Sequence, residues 1–355
     1  MCDSDFAVAS SQGPYMVRFR HNVLGSWKAS GPTVALIDES VLELYGPSFS
    51  HDLAALNCVP ILAAEETKTL ENMSTIVSRL LEAGARRGSS LLAIGGGITQ
   101  DITSFLASVM FRGMPWQFIP TTLLAQADSC IGSKSSINAS GVKNLVGTFH
   151  PPDTIDVDCS VLATLDKAAL HSGIGEMLKV HAISGPRDFD RIAENYESLL
   201  LDSNVMTKAV HQSLLYKKRL VELDEFDEGP RNVMNYGHSF GHAIETATEY
   251  AIPHGVAVSI GMDMANYVAQ VLGVTTLAEF ERMHPVLRLN SMDFDSVLFE
   301  ASGVISALKR DKKNSSTHYR LVLPDTNGEI TLSWIDMDEQ LVVAVSSYLA
   351  TARLT

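Results

Sequence analysis

The most constraining feature of this chain is a short apolar run that stops on three glycines. Ser90-Leu-Leu-Ala-Ile94 reads as a buried strand and passes straight into Gly95-Gly96-Gly97, with helical periodicity beyond. A strand leading through glycines into a helix lets the backbone approach a phosphate, while the helix start offers unpaired N–H groups and partial positive charge. The spacing is not the GxGxxG fingerprint, so a simple tight turn remains an equal reading at this point. Similar units flank it. Thr33-Val-Ala-Leu-Ile-Asp38 reads as a strand ending on a carboxylate, Val59 to Ala63 as a second, and Gln117-Phe-Ile119 as a further one ending at Pro120-Thr121-Thr122. Between them a helix is expected over about 70–85. Strands alternating with helical patterns imply βαβ units and a mostly parallel sheet. Asp38, at a strand end, is placed where a carboxylate receives ribose hydroxyls.

From about Leu165 the pattern changes to long helical periodicities, with few β-branched runs until Tyr319-Arg-Leu-Val-Leu323. The expected fold class is therefore an α/β, Rossmann-like N-terminal domain over 1–160, followed by a mainly α-helical C-terminal domain over 161–355. A length of 355 residues suits two domains at roughly 150 residues each. With 27 basic against 41 acidic residues and a net charge of −14, the chain is a poor general binder of nucleic acid or anionic membrane. Four scattered cysteines without a CxxC pair fit reduced thiols. No signal peptide is apparent and no run approaches the roughly 18 apolar residues of a membrane helix, so a cytoplasmic location is expected.

The second half carries its own chemistry. Asn235-Tyr-Gly-His238-Ser-Phe-Gly-His242 sets two histidines four apart, on one face of a helix, and His254 follows in Pro253-His254-Gly255. Upstream, Glu176 and Lys179 stand three apart, again on one helical face. Two imidazoles and a carboxylate are a usual set for a catalytic divalent ion with an open coordination position. Spacing does not separate a ligand from a catalytic base within the histidine pair. Taken singly, each histidine reads more readily as structural, and Arg112, Lys134, Lys143, Lys217, Arg231 and Lys312 read as solvated surface. Together, beside Gly, Asn and Ser, the bases are candidates for capturing phosphate or carboxylate.

In order and spacing these motifs closely resemble the 3-dehydroquinate synthase and sugar phosphate cyclase family, from about Asp38 to Leu323. The resemblance rests on Glu65-x-x-Lys68, Gly95-Gly-Gly-x-x-x-Asp101, Arg112-Gly113, Pro120-Thr-Thr-Leu-Leu-Ala-Gln126 with Asp128-Ser129, Lys134, Lys143-Asn144, Glu176-x-x-Lys179, Arg231 with Asn235-x-x-His238-x-x-x-His242, and His254-Gly255. It implies NAD+ held by Asp38, Glu65, Lys68, Gly95, Gly96, Gly97, Asp101, Thr121, Thr122, Lys143 and Thr164. It implies Zn2+, with Co2+ as an alternative, on Glu176, His238 and His254. Asp128, Lys134, Lys179 and His242 become the catalytic set, and Arg112, Asn144, Lys217, Arg231, Asn235 and Lys312 the substrate contacts. Lys134 and Asn144 would grip phosphate, with Arg112 reaching into a neighbouring subunit, which implies a homodimer. Arg231 and Lys217 would hold a carboxylate, which favours the dehydroquinate branch and the shikimate pathway.

That branch converts a small anionic sugar phosphate, 3-deoxy-D-arabino-heptulosonate 7-phosphate, to 3-dehydroquinate and phosphate. The alternatives are a sister cyclase, similar to 2-epi-5-epi-valiolone synthase or 2-deoxy-scyllo-inosose synthase, and a metal-dependent polyol dehydrogenase. The chain departs from dehydroquinate-forming members in three places, one of them the slightly different wording of Met177-Leu-Lys179-Val-His181. Gly132-Ser133-Lys134-Ser135-Ser136 stands where they usually read Gly-Gly-Lys-Thr-Gly, and Phe149-His150-Pro151-Pro152 where they favour Tyr-Gln.

Overall fold

A computed structural model describes residues 4–310 and 317–354. The chain divides into two compact units. One is built from residues up to Leu165 together with Lys217–Phe226, the other from Asp166–Tyr216 and the residues from Asp227 onward. The expected break was drawn near residue 160, and the return of Lys217–Phe226 to the first unit had no signature in the sequence.

The first unit is organised by a seven-stranded sheet. Its strands are β1 (Phe6–Val8), β2 (Tyr15–Phe19), β3 (Thr33–Asp38), β4 (Asn57–Ile61), β5 (Ser90–Gly95), β6 (Trp116–Pro120) and β9 (Thr154–Val157), in spatial order β1-β2-β9-β6-β5-β3-β4. All neighbours pair in parallel except β1 with β2. A parallel sheet is covered on both faces, which is why its strands read as unbroken apolar runs. Val34 to Ile37 and Leu91 to Ile94 are buried without alternation. The helix Leu70–Glu82 turns Met73, Ile76 and Leu80 to the interior, spaced for one helical face. A small hairpin, β7 (Ile137–Ala139) with β8 (Val142–Val146), lies apart from the main sheet.

Strand order decides where this unit can bind. The chain leaves β3 for β4 on one side, then returns to place β5 on the other side of β3. That reversal leaves a crevice at the carboxyl ends of β3 and β5, the usual ligand position of an open parallel sheet. Asp38 ends β3 and Gly95 ends β5, and the register Ile37↔Ile94 sets those ends level.

Among the described residues the second unit is helical, with one two-stranded sheet formed by β10 (His318–Pro324) and β11 (Ile330–Asp336). The helix Lys167–Ser184 is buried almost without interruption from His171 to Ala182. It crosses the helix His254–Val271 at glycines. A Cβ on Gly175 would lie 2.0 Å from the Gly255 carbonyl oxygen, and one on Gly255 would lie 1.8 Å from that of Ser172. No side chain fits at either position, so the two backbones touch. The Ser172 hydroxyl accepts the Gly255 N–H at 2.9 Å, satisfying an orphan amide in the first turn of the second helix. No helix of the described residues is long and apolar enough to cross a membrane.

Candidate active site

In the first unit, the glycines after β5 form a close turn. A Cβ on Gly95 would meet the Thr99 hydroxyl at 2.4 Å, and one on Gly96 would meet the Thr122 methyl at 2.9 Å. Gly96 caps the helix Gly97–Val109 without a side-chain hydrogen bond, so that helix start is left to backbone N–H groups. Thr121 donates its N–H to the Gly95 carbonyl at 2.9 Å, holding the ends of β5 and β6 together. Asp38 accepts the Ser40 N–H and caps the helix Glu39–Tyr45. Thr164 sits in the turn Cys159–Thr164, its hydroxyl 2.9 Å from that of Tyr45.

Beside this turn, Lys68 is buried and donates to Asp101 at 3.0 Å and to the Asn144 side-chain oxygen at 2.9 Å. Glu65 lies 3.9 Å from the same ammonium and accepts from Asn138 at 2.8 Å. Burial pushes the Asp101 carboxyl up to about 6, against the pull of Lys68. Lys134, Lys143 and Arg112 are exposed. Arg112 follows Phe111 and precedes Gly113, and all three have positive φ (51°, 69° and 118°). Lys217 reaches Asp128, its ammonium 2.6 Å from both the carboxylate and the main-chain oxygen. The resemblance implies that Lys217 holds a substrate carboxylate; in the structure its ammonium also faces the carboxylate of Asp128 in its own unit.

In the second unit, Glu176, His238 and His254 come together. Glu176 is 2% exposed, and its Oε1 lies 3.2 Å from His254 Nε2 and 3.6 Å from His238 Nε2. Its other oxygen accepts from Lys179 at 2.5 Å. The far ring nitrogens are also held. His238 Nδ1 faces the Tyr236 carbonyl at 3.1 Å, and His254 Nδ1 faces Glu245 at 3.2 Å. A carbonyl only accepts, so His238 carries its proton on Nδ1 and turns the Nε2 lone pair toward Glu176. Burial, then the charges of Lys179 and the two neighbouring histidines, holds His238 well below the ordinary range and keeps it neutral. For His254, burial pulls the same way, but hydrogen bonds to Glu176 and Glu245 outweigh it and raise the group to about 10.

A neutral lone pair facing a carboxylate oxygen at 3.6 Å calls for a cation between them. Ligands about 2.1 Å from a tetrahedral ion stand about 3.4 Å apart, which matches the two separations. These residues therefore fit a divalent metal. His242 belongs to the same cluster: one donor atom from each of His238, His242 and His254 lies within 4.8 Å of the others. Unlike the other two, His242 is exposed. Arg231 is buried on the turn Pro230–Asn235, and Asn235 donates to the Asn232 carbonyl at 3.0 Å. Lys312 lies outside the described residues. Glu245 was missed by sequence reasoning, although its place seven residues after His238 on the helix His238–Ala247 was the available signal. Asn138 was missed too, and it had no signal beyond lying in the connection after Lys134.

Comparison with known proteins bears on both units. The 3-dehydroquinate synthase N-terminal family matches residues 58–172, and the 3-dehydroquinate synthase C-terminal family matches residues 173–314. The 3-dehydroquinate synthase of Alkaliphilus metalliredigens (strain QYMF) is 35% identical over 312 residues, covering 86% of this chain and 88% of that protein. Among solved structures, ValA (2-epi-5-epi-valiolone synthase) from Streptomyces hygroscopicus subsp. jinggangensis 5008, with NAD+ and Zn2+ bound, aligns with a TM-score of 0.83. It is 28% identical, with 95% of this chain and 96% of that chain covered. A 2-deoxy-scyllo-inosose synthase complexed with carbaglucose-6-phosphate, NAD+ and Co2+ also aligns at 0.83. At 21% identity, with 97% of this chain and 99% of that chain covered, it speaks for the fold alone.

Proposed function

The chain belongs to the 3-dehydroquinate synthase family, and we propose that it converts 3-deoxy-D-arabino-heptulosonate 7-phosphate to 3-dehydroquinate and phosphate, as a cytoplasmic homodimer in the shikimate pathway. The observation that carries the chemistry is the approach of two imidazole nitrogens to one buried carboxylate oxygen. The choice of a carboxylated substrate is supported by the identity to 3-dehydroquinate synthases across most of the chain and by buried Arg231.

In the first unit, Asp38 receives ribose hydroxyls of NAD+, and the Gly95–Gly97 turn with the following helix start receives its diphosphate. Glu65, Lys68, Asp101, Thr121, Thr122, Lys143 and Thr164 complete that set. Glu176, His238 and His254 hold a divalent ion, Zn2+ or Co2+. When bound, NAD+ supplies a reversible hydride acceptor and the ion a Lewis acid for a substrate hydroxyl.

The protein's own residues then do the rest. Lys134 and Asn144 hold the phosphate, joined by Arg112 of a second copy, and Arg231 holds the carboxylate. Lys179 stays on Glu176 and orients that carboxylate. His242, the exposed imidazole of the cluster, moves a proton through a ring nitrogen. Lys217 and Asp128 act as a paired ammonium and carboxylate, while Asn235 and Lys312 complete the substrate set. Elimination, ring opening and aldol closure call for positioning more than for many separate bases.

The test offers three substrates in parallel, with NAD+ and Zn2+: the heptulosonate phosphate, sedoheptulose 7-phosphate and glucose 6-phosphate. Phosphate release from the first alone is expected. Turnover of either sugar lacking a carboxylate would move the chain to a sister branch, and stoichiometric NADH from polyols would make it a dehydrogenase.

A further inference from the structure

Asn144 is held in an unusual way. Its backbone is left-handed, with φ of 55°, a conformation asparagine tolerates better than most side chains. Its N–H is taken by the Asn138 side-chain oxygen at 2.9 Å. Its own side-chain oxygen receives two donors, the Lys68 ammonium at 2.9 Å and the Ser136 hydroxyl. An ammonium has donors only, so the Asn144 atom beside Lys68 is necessarily the oxygen. The amide NH2 is thereby turned away from the network, on an exposed residue. Ser136 is tied at both ends, since its own N–H faces the Asp101 carboxylate to which Lys68 is also bound. Every group in this chain of contacts belongs to the first unit.

We infer that Ser136 is a positioning residue that locks the Asn144 amide oxygen inward and so presents its NH2 as a fixed donor to an anionic oxygen of the substrate. This rests on the reading above that Asn144 faces the substrate phosphate. In this chain two donors share the task, so a second restraint opposes rotation of the amide when Lys68 moves or exchanges partners. A fixed donor stands ready for the ligand without the ordering cost of a rotating one.

The test uses the holoenzyme and whichever sugar phosphate the wild type turns over. Ser136→Ala is expected to lower kcat/KM about fivefold, the weight of one hydrogen bond, whereas Ser136→Thr, which keeps the hydroxyl, stays within about twofold. In an Asn144→Ala background the Ser136→Ala change should shift kcat/KM by less than about 1.5-fold, because the group it acts through is gone. Equal losses in both backgrounds, or an unchanged single variant, would overturn the inference. An independent readout is the side-chain amide resonance of Asn144 in 15N-labelled protein, identified by its loss in Asn144→Asp. It should move in Ser136→Ala and return in Ser136→Thr, and no movement would count against the lock. That readout needs no turnover. If the wild type released phosphate from no sugar, the functional reading would fall while the resonance still decided the role of Ser136.

Discussion

The two units build their binding sets from different materials. In the first, the groups proposed for a dinucleotide stand on a backbone frame: a glycine turn, a helix start and strand ends set level by the register of a parallel sheet. In the second, they are side chains from separate stretches of sequence, brought together where two helices touch at Gly175 and Gly255. A backbone site inherits its position from strand order, which many side-chain changes leave intact. A side-chain site depends on the distance between helices and on the partners that orient each ring.

That contrast predicts where the molecule is brittle. His238→Ala should abolish tight metal binding and lower turnover by about 10^4-fold or more, since Lewis-acid assistance is worth several kcal/mol. His242→Ala should keep the metal while losing about 10^2- to 10^3-fold in rate, the usual weight of a proton-transfer group. Metal analysis alongside phosphate release checks both, and loss of metal from the His242 variant would make it a ligand. Gly255→Ala forces a methyl group onto the Ser172 carbonyl and should cost about 3 kcal/mol of stability, with weaker metal retention. A denaturant melt and a chelator competition would show it, and an unchanged midpoint would mean that the helices separate freely.

Glu245→Gln should weaken metal affinity by about 10- to 100-fold with the fold intact, because the carboxylate fixes the His254 ring rather than the metal. Equal affinity in the variant would deny it that role. The remaining effect belongs to the first unit. Asp101 has its folded pKa raised to about 6 from an ordinary 3.8, so the folded state binds the extra proton between those values. Stability from this group is therefore full below about pH 4 and is lost as pH rises through 6, by up to about 3 kcal/mol. Asp101→Asn should flatten that dependence, and urea midpoints from pH 4 to 7 would measure it. A wild-type curve parallel to that of the variant would show that Lys68 cancels the burial.

The strands around the glycine turn were legible because a sheet buried on both faces writes itself as unbroken apolar runs. Thr33–Asp38 was read to the residue, and the strand expected over 59–63 lies two residues earlier, at Asn57–Ile61, on the edge of the sheet where Pro60 is tolerated. The helix expected over 70–85 ends at Glu82, short of the left-handed Gly84. The residues of the candidate metal site were legible as types, two histidines a turn apart and an acid three residues from a lysine, but not as a meeting point. Asn138, the contact of Glu245 with His254 and the Lys217–Asp128 pair were not legible. Each acts through a partner far along the chain or on another element, and a side chain's partner across such a gap leaves no local periodicity.

By itself, then, the amino-acid order determined the parallel α/β unit, the helical unit after it and the chemical inventory of both, because local periodicity and residue type are properties of neighbours in the chain. Only the tertiary structure decided that Glu176 meets two imidazoles, that Lys217 rests on Asp128, and that Ser136 and Lys68 turn Asn144 outward. Those outcomes depend on distances between segments, and such distances are set by how helices and strands pack, down to a glycine with no room for a methyl group.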